Sequence, residues 1–433
     1  MIVEFRVKNF LSIKDEQVLS FESTADNHLQ ELHCSRITPR LRLLKMAAIF
    51  GANASGKSNI LKALSFMHEM ILYSATKKQI FDQTDFTPFK LSRETLDTPG
   101  MFEITFILNG IKFIYGFKIN KNAILEEWLF NHPKGKKSKL FIRKSIKKDD
   151  KTYEYDYDWG TSLKGEKKKL SELTRQNSLF LSVSSQFKHV LLNKIFEWFK
   201  LKMKPMVTPR TDILNFTSLK CKENEEFKKD VLKLLKYADF KIDDIVFEKT
   251  RLNEKEIRGV PLGEKLLKLL LKNKNLEGRE EFDKILFKHK VEEGDITFSN
   301  NLEFSEESMG TQRYYELAGP LLDLINEGGV LYIDELESSL HTRLLSHLIK
   351  TFLENSKEAQ IIFTSHDLRI MTLELFRRDE IWFTEMKNDG QTELYSLSDF
   401  HPRKDKSIIN GYMNGAYGAV PLLRSYYKEI DNG

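Results

Sequence analysis

Apolar and polar positions divide the chain into recognisable elements. Ile2, Val3, Phe5 and Val7 recur with strand spacing and lead into Asn9-Phe10-Leu11. A second short strand is expected at 17–21, and the apolar run LKMAAIF at 44–50 reads as a buried strand. Across 58–72, Ile60, Leu61, Leu64 and Met67 share the face of a helix. Three β-rich segments follow between 101 and 130, separated by Asn109-Gly110 and by Asn120-Lys121-Asn122, which predicts an antiparallel meander. The basic, tyrosine-bearing stretch 131–170 is expected to extend it. Apolar character returns over 171–186.

Residues 187–240 change period. VLLNKIFEWFKLKM and EFKKDVLKLLKYADF predict long amphipathic helices. Strands are expected at 242–249 and 283–291, flanking a Lys/Leu-rich helix at 262–275 whose stripe suits core packing or helix pairing, with a membrane-surface helix as the alternative. From about 295 a Ser/Gly-containing loop at 305–311 precedes another amphipathic helix. GGVLYIDELESSLH then reads as strand and turn, TRLLSHLIKTFLEN as helix, and QIIFTSHD as a strand closing on His366. IWFTE and TELYSL form an expected hairpin before a Gly- and aromatic-rich tail. These patterns place an α/β fold over three segments: 1–130 and 291–433 as two halves of one domain, and 131–290 as an insertion, basic β/loop first and mainly helical after.

Composition narrows the class. The chain has 433 residues, 41% of them hydrophobic, enough for sizeable cores. No apolar run approaches membrane-spanning length, and charges within the first ten residues exclude a signal-peptide core there, so a cytoplasmic location is expected. Cys34 and Cys221 lie far apart without a CxxC motif or Cys/His cluster, which argues for free thiols and against structural zinc. A net charge of +5 is mild, but 131–170 holds thirteen basic against six acidic side chains. That stretch is a solvated region or a patch for phosphate or a partner.

The chemistry begins at GANASGKS, residues 51–58, with the spacing G-x-x-x-x-G-K-[ST] between a strand and a helix. Glycines in such a loop let successive N–H groups point at phosphate oxygens. Lys57 can reach the β/γ-phosphates and Ser58 can hold Mg²⁺. Roughly 280 residues on, VLYIDE ends in Asp334 and Glu335, adjacent carboxylates that are costly on a buried strand without a cation or partner. In this NTPase class the first supports Mg²⁺ and the second can polarise the attacking water. The gap exceeds what a compact nucleotide-binding domain needs, so something sizeable is inserted.

The order phosphate loop, Gln186, Ser308-Met309-Gly310-Thr311, Asp334-Glu335, Ser338-Ser339-Leu340-His341 and Thr364-Ser365-His366 resembles the ATP-binding-cassette class, in its soluble SMC and RecF-type branch. EESMGTQ departs from the transporter form LSGGQ and matches a branch reading ES-x-GT. The opening I-x-x-F-x-x-x-NF-x-S and the tail R-x-D-x-S…Y-x-x-G-x-YGAVP look like stand-alone prokaryotic ATPases of the RloA and abortive-infection type, often encoded beside a nuclease or other effector. The resemblance implies a P-loop NTPase fold with an antiparallel β-subdomain and an inserted, mainly helical lobe.

It also implies roles. Gly51, Asn53, Ala54, Ser55, Gly56, Lys57, Ser58 and Asn59 would cradle ATP, with Mg²⁺ held by Ser58, by Asp334 through its water shell, and by a sensing glutamine for which Gln186 is the candidate. Glu335 would be the general base and His366 the switch contact to the γ-phosphate. Ser308 and Gly310 would act in trans from the helix N-terminus of a second copy, making the protein a homodimer or higher homo-oligomer. His341 either signals across that dimer or caps the following helix. ATP is preferred over GTP on resemblance, since no guanine reader is seen. The implied output is a nucleotide-gated sensor or scaffold in anti-phage defence that holds a separate protein effector, with no membrane partner. The alternative is a repair ATPase binding DNA directly. No second catalytic motif is visible, so any nucleic-acid cleavage would come from another protein.

Overall fold

The computed structural model describes residues 1–77, 79, 82–133, 135–148, 152–187, 189–251, 281–294, 296–401 and 407–420. The helix expected at 262–275 lies outside the described residues. The described chain forms two compact units. The first comprises Met1–Thr211, Leu324–Ser338 and Leu345–Gly433, and the second Asp212–Asp323 with Ser339–Leu344.

At the heart of the first unit is a five-stranded sheet in the order Gly329–Ile333, Ala359–Thr364, Met46–Gly51, Ile381–Met386, Thr392–Ser396. Neighbours among the first four strands are parallel, and the last pair is an antiparallel hairpin. Every residue of the first three strands is buried. That is why their sequences read as unbroken apolar runs: a parallel sheet is covered on both faces. The expected hairpin at 381–397 exists, but its first strand also pairs with Met46–Gly51 and so belongs to this sheet.

A seven-stranded antiparallel sheet runs Tyr153–Trp159, Ser138–Lys147, Ile124–His132, Ile111–Ile119, Gly100–Leu108, Ile2–Lys8, Gln17–Ser20. Asn109 and Gly110 have φ of 52° and 73°, the left-handed pair that a two-residue hairpin loop requires. Its inner face, with Phe102, Ile104, Phe106 and Phe117, shares one hydrophobic core with Ile60, Leu64 and Met67 of the Lys57–Tyr73 helix. The Val190–Lys202 helix joins that core by stacking Trp198 on Phe106, ring centroids 4.2 Å apart. The sheet runs through residue 131, where the insertion was expected to start, and the first unit continues to Thr211. Hydrogen-bonded strands at 138–147 and 153–159 override the shift to basic composition.

The second unit is built on the antiparallel strands Ile242–Arg251, Glu281–Glu293 and Ile296–Glu303, with helices Leu214–Glu223 and Glu225–Tyr237. Asn224 caps the second helix by accepting from Glu226 N and Phe227 N, both at 3.0 Å. Phe287 meets Tyr315 edge-on in its core. The helix Met309–Glu327 starts in this unit.

Candidate nucleotide site

The carboxyl ends of neighbouring parallel strands are where an α/β sheet presents ligand-binding residues, and the sequence candidates of the first unit other than Gln186 gather there. Met46–Gly51 runs into the phosphate loop, Gly329–Ile333 into Asp334 and Glu335, and Ala359–Thr364 into Ser365 and His366.

The loop needs its glycines. A Cβ at Gly51 would lie 2.5 Å from Thr384 O, and one at Gly56 (φ 98°) would overlap the Thr392 side chain. Ala54 adopts a left-handed φ of 63°, with Asn53 and Ala54 exposed at the tip. Neutral hydroxyls brace the loop from beneath. Ser55 Oγ and Thr384 Oγ1 share a hydrogen bond of 2.6 Å, and Thr392 Oγ1 donates to Ser55 O at 3.0 Å. Ser12 Oγ bonds Thr392 Oγ1 at 2.7 Å and accepts from Asn59 Nδ2 at 2.7 Å. Lys57 folds back so that Nζ donates to Gly51 O (2.8 Å) and Ala52 O (2.9 Å). Burial pushes its ammonium down to about 8, opposed by the charges of Glu337, Asp334 and Glu335.

Asp334 is fixed at both ends. Its N–H donates to Val207 O (2.8 Å), because residues 203–207 run alongside Gly329–Ile333. Its Oδ1 accepts from Ser58 Oγ at 2.8 Å and from Thr364 Oγ1 at 2.7 Å. Thr364 Oγ1 in turn accepts from Glu335 N at 2.8 Å. Glu335 is half-buried with a left-handed φ of 52°, a conformation that costs a non-glycine residue about 1 kcal/mol. Thr364 therefore ties together both members of the acidic pair. Glu337 Oε1 accepts from His366 N at 2.5 Å, which holds that main chain while the imidazole stays exposed.

The other candidates lie elsewhere. Ser308 and Gly310 belong to the second unit. Ser308 Oγ accepts from Thr311 N at 3.1 Å, capping the Met309–Glu327 helix, and remains exposed. Gly310 approaches Ser339, where an added Cβ would sit 3.4 Å from the carbonyl oxygen. His341 Nδ1 accepts from Arg343 N at 3.2 Å, the geometry of the capping alternative. Gln186 follows the short Phe180–Ser184 helix and donates to Ser185 Oγ at 3.1 Å. Among the described residues no hydrogen bond links it to Ser58 or Asp334.

Thr364, Thr384, Thr392, Ser12 and Glu337 also shape the site, yet nothing local in the sequence marks their roles. A threonine on a buried strand looks like β-branched filler, and Ser12 is far away in sequence. Glu337 carried one weak signal, a further carboxylate two residues after the acidic pair.

Parallel strands, a glycine loop on a helix N-terminus and an acidic pair at the end of a strand one place removed from the loop's own strand define a P-loop nucleoside-triphosphatase domain of the AAA type. Residues 46–372 match the family described as "AAA domain, putative AbiEii toxin, Type IV TA system", and the chain belongs to that family. No curated protein matches it in sequence. Among solved structures, the SMC head domain from Thermotoga maritima is similar at 15% identity, covering 91% of this chain and 98% of that chain with a TM-score of 0.40. An SMC head bound to the C-terminal winged-helix domain of ScpA is similar at 14% identity, covering 91% and 97%, with a TM-score of 0.42. Likeness at this level carries no argument about function.

Proposed function

We propose that the protein binds ATP with Mg²⁺ and hydrolyses it, using the cycle to close and open a homodimer that holds or releases a separate protein effector. The observation that carries this reading is the convergence of Ser58, Asp334, Thr364 and Glu335 through three hydrogen bonds at adjoining strand ends. ATPase families of this type use nucleotide and Mg²⁺. The donor set fits: Ser58 Oγ is a hard oxygen donor of the kind Mg²⁺ takes, and Asp334 Oδ1, 2.8 Å from it, would hold the metal's water shell. Held there, the metal would supply positive charge that offsets the negative charge developing on the transferred group.

This chain's own residues do the rest. The N-terminus of the Lys57–Tyr73 helix offers N–H donors and the positive end of its dipole to the phosphates. Lys57 exchanges two backbone carbonyls for a phosphate, which restores full protonation to an ammonium that burial has weakened. Glu335 takes the proton of the attacking water. His366 meets the γ-phosphate, while Ser308 and Gly310 of the second copy close over it from their helix terminus. Gln186 would sense metal and water from its place after the Phe180–Ser184 helix.

A role in anti-phage defence is supported by the family description, which names a toxin of a toxin–antitoxin system. Direct DNA binding is less well supported. Lysines of the basic stretch pair with carboxylates: Lys139 with Asp158, Lys148 with Glu154, and Lys144 with Glu126. That pairing lowers the charge available to a phosphate backbone, and a flat salt dependence of any DNA retention is expected. The deciding experiment is Glu335→Gln. It should keep ATP affinity, lose turnover and accumulate an ATP-dependent dimer in light scattering. Turnover near the wild-type rate would remove Glu335 from the role of base.

A further inference from the structure

The tail motif Y-x-x-G-x-YGAVP takes no part in the chemistry above, yet it touches the phosphate loop. Ala419 O accepts from Ala52 N at 3.1 Å and from Tyr412 Oη at 2.8 Å. Gly51 O and Ala52 N–H are the two ends of one peptide group. Lys57 Nζ holds the oxygen end at 2.8 Å, and the tail holds the nitrogen end. When Lys57 leaves to meet a phosphate, the tail remains as the restraint on that peptide. Ala52 O also accepts from Ser55 N at 3.2 Å to close the loop's turn, so tilting this peptide would disturb the whole cradle.

The tail is built to deliver that carbonyl. Gly418 and Ala419 adopt consecutive left-handed φ values of 64° and 58°, strained for an alanine and held only where the surroundings dictate it. A Cβ on Gly418 would lie 2.7 Å from Tyr395 Oη, which itself donates to Tyr417 O at 2.7 Å. Phe383 stacks with Tyr412 at 5.4 Å and Tyr417 at 5.9 Å. Phe383 lies on the strand Ile381–Met386, whose next residue, Thr384, braces Ser55. Ala419 is 2% exposed, so the shared carbonyl is shielded from water that could replace either donor.

We propose that residues 407–419 form a strap that presets the phosphate loop, with Tyr412 a positioning residue acting through Ala419 O. This rests on the nucleotide-binding reading of the loop. Tyr412→Phe keeps the ring stacked on Phe383 and deletes the hydroxyl. It should weaken ATP affinity and raise KM roughly fivefold, the scale of one neutral hydrogen bond, with kcat and Tm unchanged. Tyr395→Phe, which loosens the same strap from the other side, should move KM in the same direction. A Tyr412→Phe protein with wild-type ATP affinity overturns the inference. So does a parallel fall of affinity, kcat and Tm, which would make Tyr412 a structural residue. If wild-type protein itself does not bind Mg²⁺–ATP, the nucleotide reading fails instead.

Discussion

Thr364→Val is the sharpest test of how the acidic pair is held. The side chain is fully buried, and valine matches its shape, so no cavity opens. Two hydrogen bonds are lost, to Asp334 Oδ1 at 2.7 Å and from Glu335 N at 2.8 Å. A bond to a carboxylate is worth about 1.5–3 kcal/mol, and an unpaired buried N–H costs about 1–3 kcal/mol. Glu335 adds about 1 kcal/mol of left-handed strain that its N–H bond now offsets. Part of this relaxes as the half-buried Glu335 turns towards water, so global stability in urea should fall by about 1–3 kcal/mol. The larger effect falls on turnover. A displacement of Glu335 worth about 1.5–3 kcal/mol lowers kcat roughly 10- to 100-fold. ATP affinity should stay near wild type, because Thr364 makes no hydrogen bond to the phosphate loop among the described residues. The Mg²⁺ concentration for half-maximal rate should rise, and Thr364→Ser should restore most of the loss. Steady-state ATPase rates across a Mg²⁺ titration, beside binding of a fluorescent ATP analogue, measure all three quantities. A valine variant with wild-type kcat at every Mg²⁺ concentration would refute the bridging role.

Two predictions concern the core behind the site. His68 donates from Nε2 to Phe199 O (3.0 Å), so its Nδ1 accepts from Tyr332 Oη (2.9 Å), and burial pushes its pKa down to about 4. The unfolded chain binds a proton below about 6.5 that the folded chain refuses until about 4, so stability falls on acidification through that window, by about 3 kcal/mol in all. Denaturant titrations at pH 7 and 4.5 should show that loss in wild type and a smaller one in His68→Met; equal losses would assign the acid sensitivity to other groups. Glu127 accepts from Tyr115 Oη, Phe180 N and Leu181 N, and lies 3.5 Å from the buried Arg143. Glu127→Ala leaves that guanidinium uncompensated and should cost about 3–5 kcal/mol in urea denaturation; a loss under about 1 kcal/mol would show that Arg143 carries its charge without help.

What was legible in the sequence follows from how local each signal is. The phosphate loop was readable because its conformation is dictated within eight residues, and Asp334-Glu335 because two carboxylates break an apolar run. The meander was readable from its turns, above all Asn109-Gly110. The strand Ile296–Glu303 was not, since six of its eight residues are exposed and no buried face imposes alternation. The boundary expected at 131 failed for a related reason: strand pairing such as Glu126↔Lys144 is long-range, while composition is local. The tail motif was visible, but its partner Ala52 lies hundreds of residues away. Thr364 was on view within Thr364-Ser365-His366, yet only the fold brings its hydroxyl to both carboxylate-bearing residues.

The distribution of charge around the loop has a physical logic. A triphosphate needs donors on every side and cannot tolerate anions close behind it, where water does not screen them. The supports beneath the phosphate loop are accordingly neutral hydroxyls and amides: Ser12, Ser55, Asn59, Thr384 and Thr392. Among the described residues, the carboxylates hydrogen-bonded at these strand ends come from the segment Asp334–Glu337, where Asp334 is fixed to Ser58 and Glu337 to the His366 main chain. Lys57 feels all three acidic groups of that segment while donating to backbone carbonyls. Anionic groups on one side and neutral donors beneath give the site a polarity before any ligand arrives. On the proposed reading, phosphates would take the donor side and a cation the side of Asp334. Replacing Thr384 or Thr392 by an acidic residue would reverse that polarity at the loop itself, and should abolish nucleotide binding even where the fold survives.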